Sequence, residues 1–157
     1  GDFGANRIIP DIYRSTKMGE VLQLRMPYAI RPWQHVLDCL FGYLCALRHI
    51  SKSEDSISVN FNVGPQDSNS LTVLDICEQA KKWFPTLSLK TNSELVAESK
   101  FLLLDSKLLT QSTGWKPVYD TYKAVEQTFK WYYNFDNGAN VNDLVNKEIQ
   151  DYLTKNN

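Results

Sequence analysis

Apolar residues recur at helical spacing in several stretches of the chain. The predicted helices span residues 7–17, 37–50, 72–83, 119–134 and 141–153, with a shorter one at 106–111. The first is expected to end at Gly19, because glycine readily takes the left-handed conformation of a helix terminus. Thr72 and Asp75 have the spacing of a capping box, which predicts the start of the third long helix.

Strand patterns are shorter than the helical ones. Residues 57–63 alternate apolar and polar positions, with Ile57, Val59, Phe61 and Val63 on one face. Further short strands are predicted at 21–24, 87–89 and 101–104. Helices mixed with strands, without a repeat or a linker, predict one α/β domain over residues 1–157. Residues 135–157 are expected to form a peripheral C-terminal helix.

Composition narrows the class of protein. The 157 residues suffice for one domain with its own core, and 43% hydrophobic with 22% charged residues is ordinary for a globular protein. A net charge of −1 argues against general binding of nucleic acid. No apolar run reaches the roughly 18–20 residues that a membrane helix needs. No secretory leader is predicted, and a chain that opens at Gly1 is expected to be a cut or truncated piece.

The cysteines and histidines give no sign of a metal site or a disulfide framework. The chain has three cysteines, Cys39, Cys45 and Cys77, and two histidines, His35 and His49. They form no Cys-x-x-Cys pair and no spacing typical of metal ligands. Buried, reduced thiols in a cytoplasmic protein are therefore expected.

Three arginines lie where they could bind a nucleoside diphosphate, whose recognition needs cations, a slot for the base and polar groups for the ribose. Arg7 begins a predicted helix, Arg25 follows a predicted strand, and Arg31 precedes Pro32 and Trp33. Each could equally be an ordinary surface arginine, since most arginines are exposed. Arg31 is the strongest candidate, because apolar and aromatic neighbours rarely surround an arginine that has no partner.

Four blocks of residues carry a family resemblance. They are Asn6-Arg7-Ile8-Ile9-Pro10-Asp11-Ile12, Ala29-Ile30-Arg31-Pro32-Trp33-Gln34-His35-Val36, Phe61-Asn62-Val63-Gly64-Pro65 and Gly114-Trp115-Lys116-Pro117. In this order they resemble the carboxy-terminal, substrate-binding part of the extended short-chain dehydrogenase/reductases that modify nucleotide sugars. The second block points to the branch of the CDP-glucose 4,6-dehydratases. The resemblance covers residues 1–134 and implies a portion of a Rossmann-type α/β enzyme.

The resemblance also implies roles for individual residues. It implies that Arg7 contacts the diphosphate and that Arg31 binds a phosphate. It further implies that Arg25 borders the base and that Asn62 lines the nucleotide pocket. Asn62 fits equally well as a polar residue on the open face of a strand, and His35 is expected to be structural. Relatives close over the nucleotide with a loop that carries histidine or arginine. Here Ala97 stands where that histidine is expected, although Lys100 could supply the charge, so the nucleotide preference stays open.

The catalytic half of such an enzyme is expected to be absent. The family binds NAD on a glycine-rich turn between a strand and a helix, and this chain has no such turn. The family's catalytic Tyr-x-x-x-Lys pattern occurs at Tyr13–Lys17 and Tyr119–Lys123. Both are expected to be coincidental, because neither follows a strand with a catalytic serine or threonine. No residue of this chain is predicted to be catalytic.

The leading hypothesis is a fragment of an NAD-dependent 4,6-dehydratase that binds the CDP-sugar and is inert alone. Its partners would be the CDP-sugar and the missing N-terminal NAD-binding half, and a homo-oligomer stays open. One alternative is a sugar-nucleotide epimerase or reductase of the same family. Another is a non-catalytic sugar-nucleotide-binding module. In a fragment the edge of the 57–63 strand would be exposed, which favours self-association.

Overall fold

The computed structural model describes residues 3–52, 58–66, 70–91 and 99–156. Its helices are α1 Ile8–Met18, α2 Val36–Ser51, α3 Val73–Ala80, α4 Lys107–Thr113, α5 Thr121–Asp136 and α6 Val141–Lys155. Its strands are β1 Val21–Leu24 and β2 Ser88–Thr91. The helices in these ranges are all too short or too polar to cross a bilayer. Five predicted helices and the short sixth are confirmed within a few residues.

The ends of the helices follow from local chemistry. Gly19 has φ 67°, and its N–H donates to the carbonyls of Ser15 and Thr16, which closes α1 as predicted. At the start of α3, the Thr72 hydroxyl accepts from the Asp75 N–H while the Asp75 carboxylate accepts from the Thr72 N–H. The predicted capping box is therefore confirmed.

The described sheet has two parallel strands. β1 pairs with β2 in a register that joins Val21 to Ser88 and Leu24 to Thr91. The prediction of a strand at 101–104 is wrong, because only Phe101 forms a bridge, to Ile30. After that bridge the chain forms no further described strand before α4.

The strand predicted at 57–63 is also wrong over its described part. Residues 58–63 form no strand, and Ile57 lies outside the described residues. The alternation itself is present, since Val59, Phe61 and Val63 are half-buried while the residues between them are exposed. A strand needs a neighbouring backbone for its hydrogen bonds, and within the described ranges this segment pairs with none.

The main core joins α1, α3, α5 and the two strands. Its buried residues are Ile12, Leu22, Leu24, Ile76, Cys77, Ala80, Phe84, Leu87, Val125, Phe129, Trp131 and Tyr132. They include the predicted stripe of α5, namely Val125, Phe129 and Tyr132. A smaller cluster of Tyr119, Ala124 and Tyr152 packs against Leu37 and Phe41 and connects α6 to α2.

Gly42 lets α2 approach its neighbours closely. A Cβ at this position would lie 2.5 Å from Val63 Cγ1 and 3.2 Å from Trp115 Cε2. Trp115 is 2% exposed, which confirms its predicted packing role. All three cysteines are free. The prediction of buried thiols holds for Cys77, whereas Cys39 and Cys45 are only partly buried.

Candidate functional site

Arg31 lines an open cavity of about 760 Å³, called here the Arg31 cavity. The other residues that line it are Pro32, Pro65, Gln66, Ser70, Leu103, Leu104, Asp105, Ser106, Lys107, Thr110, Gln111 and Thr121. The walls therefore combine apolar side chains with hydroxyl, amide and basic groups and with the carboxylate of Asp105. This is the mixture typical of a site for a polar, charged small molecule.

The backbone around Arg31 is fixed by bonds between distant segments. The Ile30 N–H donates to the Lys100 carbonyl at 2.9 Å, and the Leu102 N–H donates to the Ile30 carbonyl at 3.2 Å. Arg31 is half-buried, and its Nη1 donates to the Ile30 carbonyl at 2.9 Å. A guanidinium held in this way presents a planar fork of donors, which suits bidentate binding of a phosphate.

Asn62 does not line the Arg31 cavity itself but bonds to a residue of its wall. Its side chain is exposed, and Nδ2 donates to the carbonyl of Asp105 at 3.3 Å. Two residues on, the Gly64 carbonyl accepts from Ser106 Oγ at 3.1 Å. The structure therefore brings Asn62 to the segment that forms one side of the Arg31 cavity.

Arg7 lines a different, more apolar groove of about 700 Å³, called here the Arg7 groove. Arg7 is exposed and occupies the N-cap position of α1. The groove is walled by the start of α1, by residues 33–37 and 40, and by α5 and α6. Arg31 and Pro32 face the first cavity, whereas Trp33, Gln34 and His35 face the groove. The segment 31–35 therefore separates the two.

Arg25 lies apart from both cavities. It follows β1, is exposed, and lines neither the Arg31 cavity nor the Arg7 groove. Of the four predicted site residues, only Arg31 lines the Arg31 cavity, and Asn62 is bonded to Asp105 in its wall. The structure places Arg7 across the 31–35 segment and Arg25 outside.

A buried polar network lies at the C-terminal end of the 31–35 segment. Asp38 is fully buried and accepts from the Val118 N–H at 2.6 Å, the Tyr119 N–H at 3.3 Å and the Tyr152 hydroxyl at 2.9 Å. His35 is 2% exposed, and its Nε2 lies 3.2 Å from Glu148 Oε1. Sequence reasoning missed this network and most polar residues of the Arg31 cavity. The one signal was a carboxylate, Asp38, inside an apolar helical run, since buried charges need partners.

The tyrosines of both Tyr-x-x-x-Lys pairs have a raised phenol pKa. The Tyr13 hydroxyl donates to Asp136 Oδ1 at 3.2 Å, and partial burial followed by the charge of Asp136 raises its phenol pKa. Burial, followed by the charges of Glu148 and Asp38, raises the pKa of Tyr119. A catalytic tyrosine needs the opposite shift, which a nearby cation provides.

The described residues do not fit NAD, which the resemblance implies for the parent enzyme. A dinucleotide site needs a glycine-rich turn between a strand and the N-terminus of a helix. β1 is followed by Arg25, Met26 and Pro27, and no described strand leads through glycines into a helix. Nor does any described group of three histidine, cysteine or acidic side chains come close enough to hold a metal ion. In the predicted closing loop, Ala97 lies outside the described residues, while Lys100 is exposed.

Comparison with known proteins identifies similar chains. No family profile matches this sequence. CDP-glucose 4,6-dehydratase of Salmonella typhimurium strain LT2 is 31% identical over 156 residues, which is 98% of this chain but 44% of that protein. The chain thus spans less than half the length of this curated relative.

Solved structures agree on the fold. UDP-glucuronic acid 4-epimerase from Bacillus cereus, in complex with UDP-glucuronic acid and NAD, gives a TM-score of 0.66 at 14% identity over 83% of this chain and 40% of that one. The dTDP-glucose 4,6-dehydratase of Bacillus anthracis, in complex with NAD, gives 0.61 at 18% identity over 80% and 38%. The predicted fold, the C-terminal portion of a Rossmann-type extended short-chain dehydrogenase/reductase, is confirmed, and so is the resemblance to CDP-glucose 4,6-dehydratase.

Proposed function

We propose that this chain is the sugar-nucleotide-binding part of an NAD-dependent 4,6-dehydratase that acts on CDP-glucose in the cytoplasm. The parent enzyme would be a lyase that yields the 4-keto-6-deoxy sugar nucleotide. The observation that carries the proposal is the 31% identity to a CDP-glucose 4,6-dehydratase along 98% of the chain. The mixed polar and apolar lining of the Arg31 cavity supports it, because a nucleoside diphosphate needs both kinds of surface.

Within this proposal, Arg31 binds a phosphate and Asn62 hydrogen-bonds the nucleotide. Arg31 is supported by its place in the lining of the cavity, and Asn62 by its bond to Asp105 in the cavity wall. Arg7 would neutralise the diphosphate from across the 31–35 segment, and Arg25 would border the base. Their support is weaker, because Arg7 lines the other groove and Arg25 lines neither.

The partner of this chain would be an NAD-binding half, without which the chain is inert. Two features of the surface support such a partner. Exposed apolar side chains form one stripe of α2, namely Val36, Leu40, Tyr43, Leu44 and Leu47. Next to α2, residues 58–63 alternate in burial like a strand, yet pair with no described strand. An NAD-binding half with an exposed edge strand in its parallel sheet would cover the stripe. It would also provide backbone hydrogen-bond partners for residues 58–63.

Titration calorimetry of the chain with CDP tests the binding site. Arg31→Ala should weaken CDP binding roughly tenfold or more, since a charge-assisted bond to phosphate is lost. Arg48→Ala is the matched control, because Arg48 is an exposed arginine at the far end of α2. An Arg31→Ala variant that binds CDP as well as the wild type would sink the assignment. UDP in place of CDP tests the base preference.

A second candidate is a sugar-nucleotide 4-epimerase, favoured by the TM-score of 0.66 with UDP-glucuronic acid 4-epimerase. The two reactions differ in their product rather than in how the enzyme binds the nucleotide. The experiment is product analysis of a full-length enzyme that carries this chain. A 4-keto-6-deoxy product supports the dehydratase, and a C4 epimer supports the alternative.

A further inference from the structure

The segment that carries Arg31 is fixed on its N-terminal side by the body of the domain. Ile30 forms bridges to both Thr72 and Phe101. Trp33 Nε1 donates to the Leu71 carbonyl at 2.8 Å. Beyond Trp33, the direction of the segment is set by the first turn of α2.

The first turn of α2 is bonded to α6 at two points. His35 Nδ1 accepts the Leu37 N–H at 3.3 Å, so the ring proton is assigned to Nε2. Nε2 therefore donates to Glu148 Oε1 at 3.2 Å. One turn along α6, the Tyr152 hydroxyl donates to Asp38 Oδ1 at 2.9 Å.

The bond from Tyr152 to Asp38 is part of a larger hydrogen-bond network. Asp38 is buried and also accepts the backbone N–H groups of Val118 and Tyr119. Burial, followed by the bond to Asp38, raises the phenol pKa of Tyr152, so this group remains a donor through the neutral range. Lys155 Nζ lies 4.9 Å from the centre of the Tyr119 ring.

α6 is otherwise an exposed helix. Tyr152 is its buried residue among those described, Leu144 is partly buried against the main core, and Val145, Glu148 and Ile149 line the Arg7 groove. Two side-chain hydrogen bonds of α6 thus go to residues 35 and 38, more than 100 positions earlier in the chain.

We propose that Glu148 and Tyr152 are positioning residues, which fix the segment Arg31–Asp38 from its C-terminal side and thereby hold Arg31 at the Arg31 cavity. The proposal rests on the proposed function only in taking a nucleoside diphosphate as the ligand. The geometry that joins α6 to the segment stands without it.

Amide hydrogen exchange tests the positioning directly. Tyr152→Phe keeps the ring and removes the bond to Asp38. It should speed exchange of amides in residues 33–40 by about tenfold, while amides of α1 and of the two strands stay unchanged. Tyr13→Phe is the matched control, because it removes another tyrosine–aspartate bond, to Asp136. Unchanged exchange at 33–40, or an equal rise throughout the chain, would overturn the proposal.

CDP titration well below the melting temperature then links position to binding. Glu148→Ala should weaken CDP binding roughly tenfold, the scale on which residues that orient a ligating group act. Glu148→Gln should restore most of the affinity, because its amide oxygen can accept from His35 Nε2. A purely structural role would lower the melting temperature without this pattern in the affinity of the folded protein.

The outcomes separate the two proposals. If Arg31→Ala weakens CDP binding while Glu148→Ala and Tyr152→Phe do not, the positioning role is refuted and the proposed function stands. If Arg31→Ala has no effect, or the wild type does not bind CDP, the proposed function fails for this chain. The exchange experiment on Tyr152→Phe and Tyr13→Phe then still decides whether α6 positions the segment.

Discussion

Cys77 shows how one residue's surroundings decide what chemistry it can do. It is fully buried in α3, and burial raises the pKa of its thiol to about 12. The nucleophilic form of cysteine is the thiolate, so this group is inert at neutral pH. The same cause raises the pKa values of Tyr13 and Tyr119. The raised pKa values keep all three groups protonated, and therefore uncharged, at neutral pH.

Selective alkylation tests the environment of Cys77. With iodoacetamide at pH 8, Cys77 should remain unmodified in the native protein and react fully in denaturant, as measured by peptide mass mapping. Its raised pKa means that the neutral thiol stabilises the fold below the unfolded pKa of about 8.5. That contribution is lost as the pH rises towards about 12. Cys39, which is partly buried, is the internal control. Equal native rates for both would contradict the burial.

At the scale of the element, α2 is the helix on which the site depends. Its first turn carries His35 and Asp38 to α6, and Gly42 brings its middle against Val63 and Trp115. Its outer face carries the exposed apolar stripe. The helix therefore contacts the 58–63 segment, the Gly-Trp-Lys-Pro turn and α6. Together these elements support the segment Arg31–Asp38.

Gly42→Ala should destabilise the protein by about 1–3 kcal/mol, the usual cost of an extra methyl group in a packed interface. Alanine favours helices more than glycine does, so any loss must come from the contacts of the added carbon with Val63, at 2.5 Å, and with Trp115, at 3.2 Å. Urea denaturation measures the difference. Asn146→Ala, on the exposed side of α6, is the control and should change stability by less than about 0.5 kcal/mol. A Gly42→Ala variant as stable as the control would show that α2 has room at this point.

Which elements the sequence predicts correctly depends on where their causes lie. The ends of α1 and α3 were predictable, because Gly19 and the Thr72–Asp75 pair act within a few residues. The segment 58–63 was predicted as a strand because alternation reports which side is buried, whereas a ladder requires a partner backbone. The bond from His35 to Glu148 spans 113 positions. Periodicity carries no information about such contacts, so the role of α6 could not be foreseen.

At the scale of the whole molecule, the exposed stripe of α2 is a contiguous apolar surface. Contiguous apolar patches on a protein surface usually mark contact with another chain or domain. The chain corresponds to 44% of the curated relative, and the solved neighbours are likewise covered over 40% and 38% of their length. These observations agree with a surface that an NAD-binding half would cover.

The isolated chain should therefore self-associate through this stripe. Sedimentation is expected to show a mass that rises with concentration above the 18.1 kDa of the monomer. Leu44→Glu with Leu47→Glu should keep the protein monomeric with little change in melting temperature, because both side chains are exposed, at 61% and 62%. Asn142→Glu with Asn146→Glu adds the same charge on exposed positions of α6 and should leave association unchanged. A wild-type monomer at every concentration, with a sharp melting transition independent of concentration, would instead favour a stand-alone binding module. The effect of substituting Leu44 and Leu47 thus distinguishes a fragment that lacks its partner from a domain that needs none.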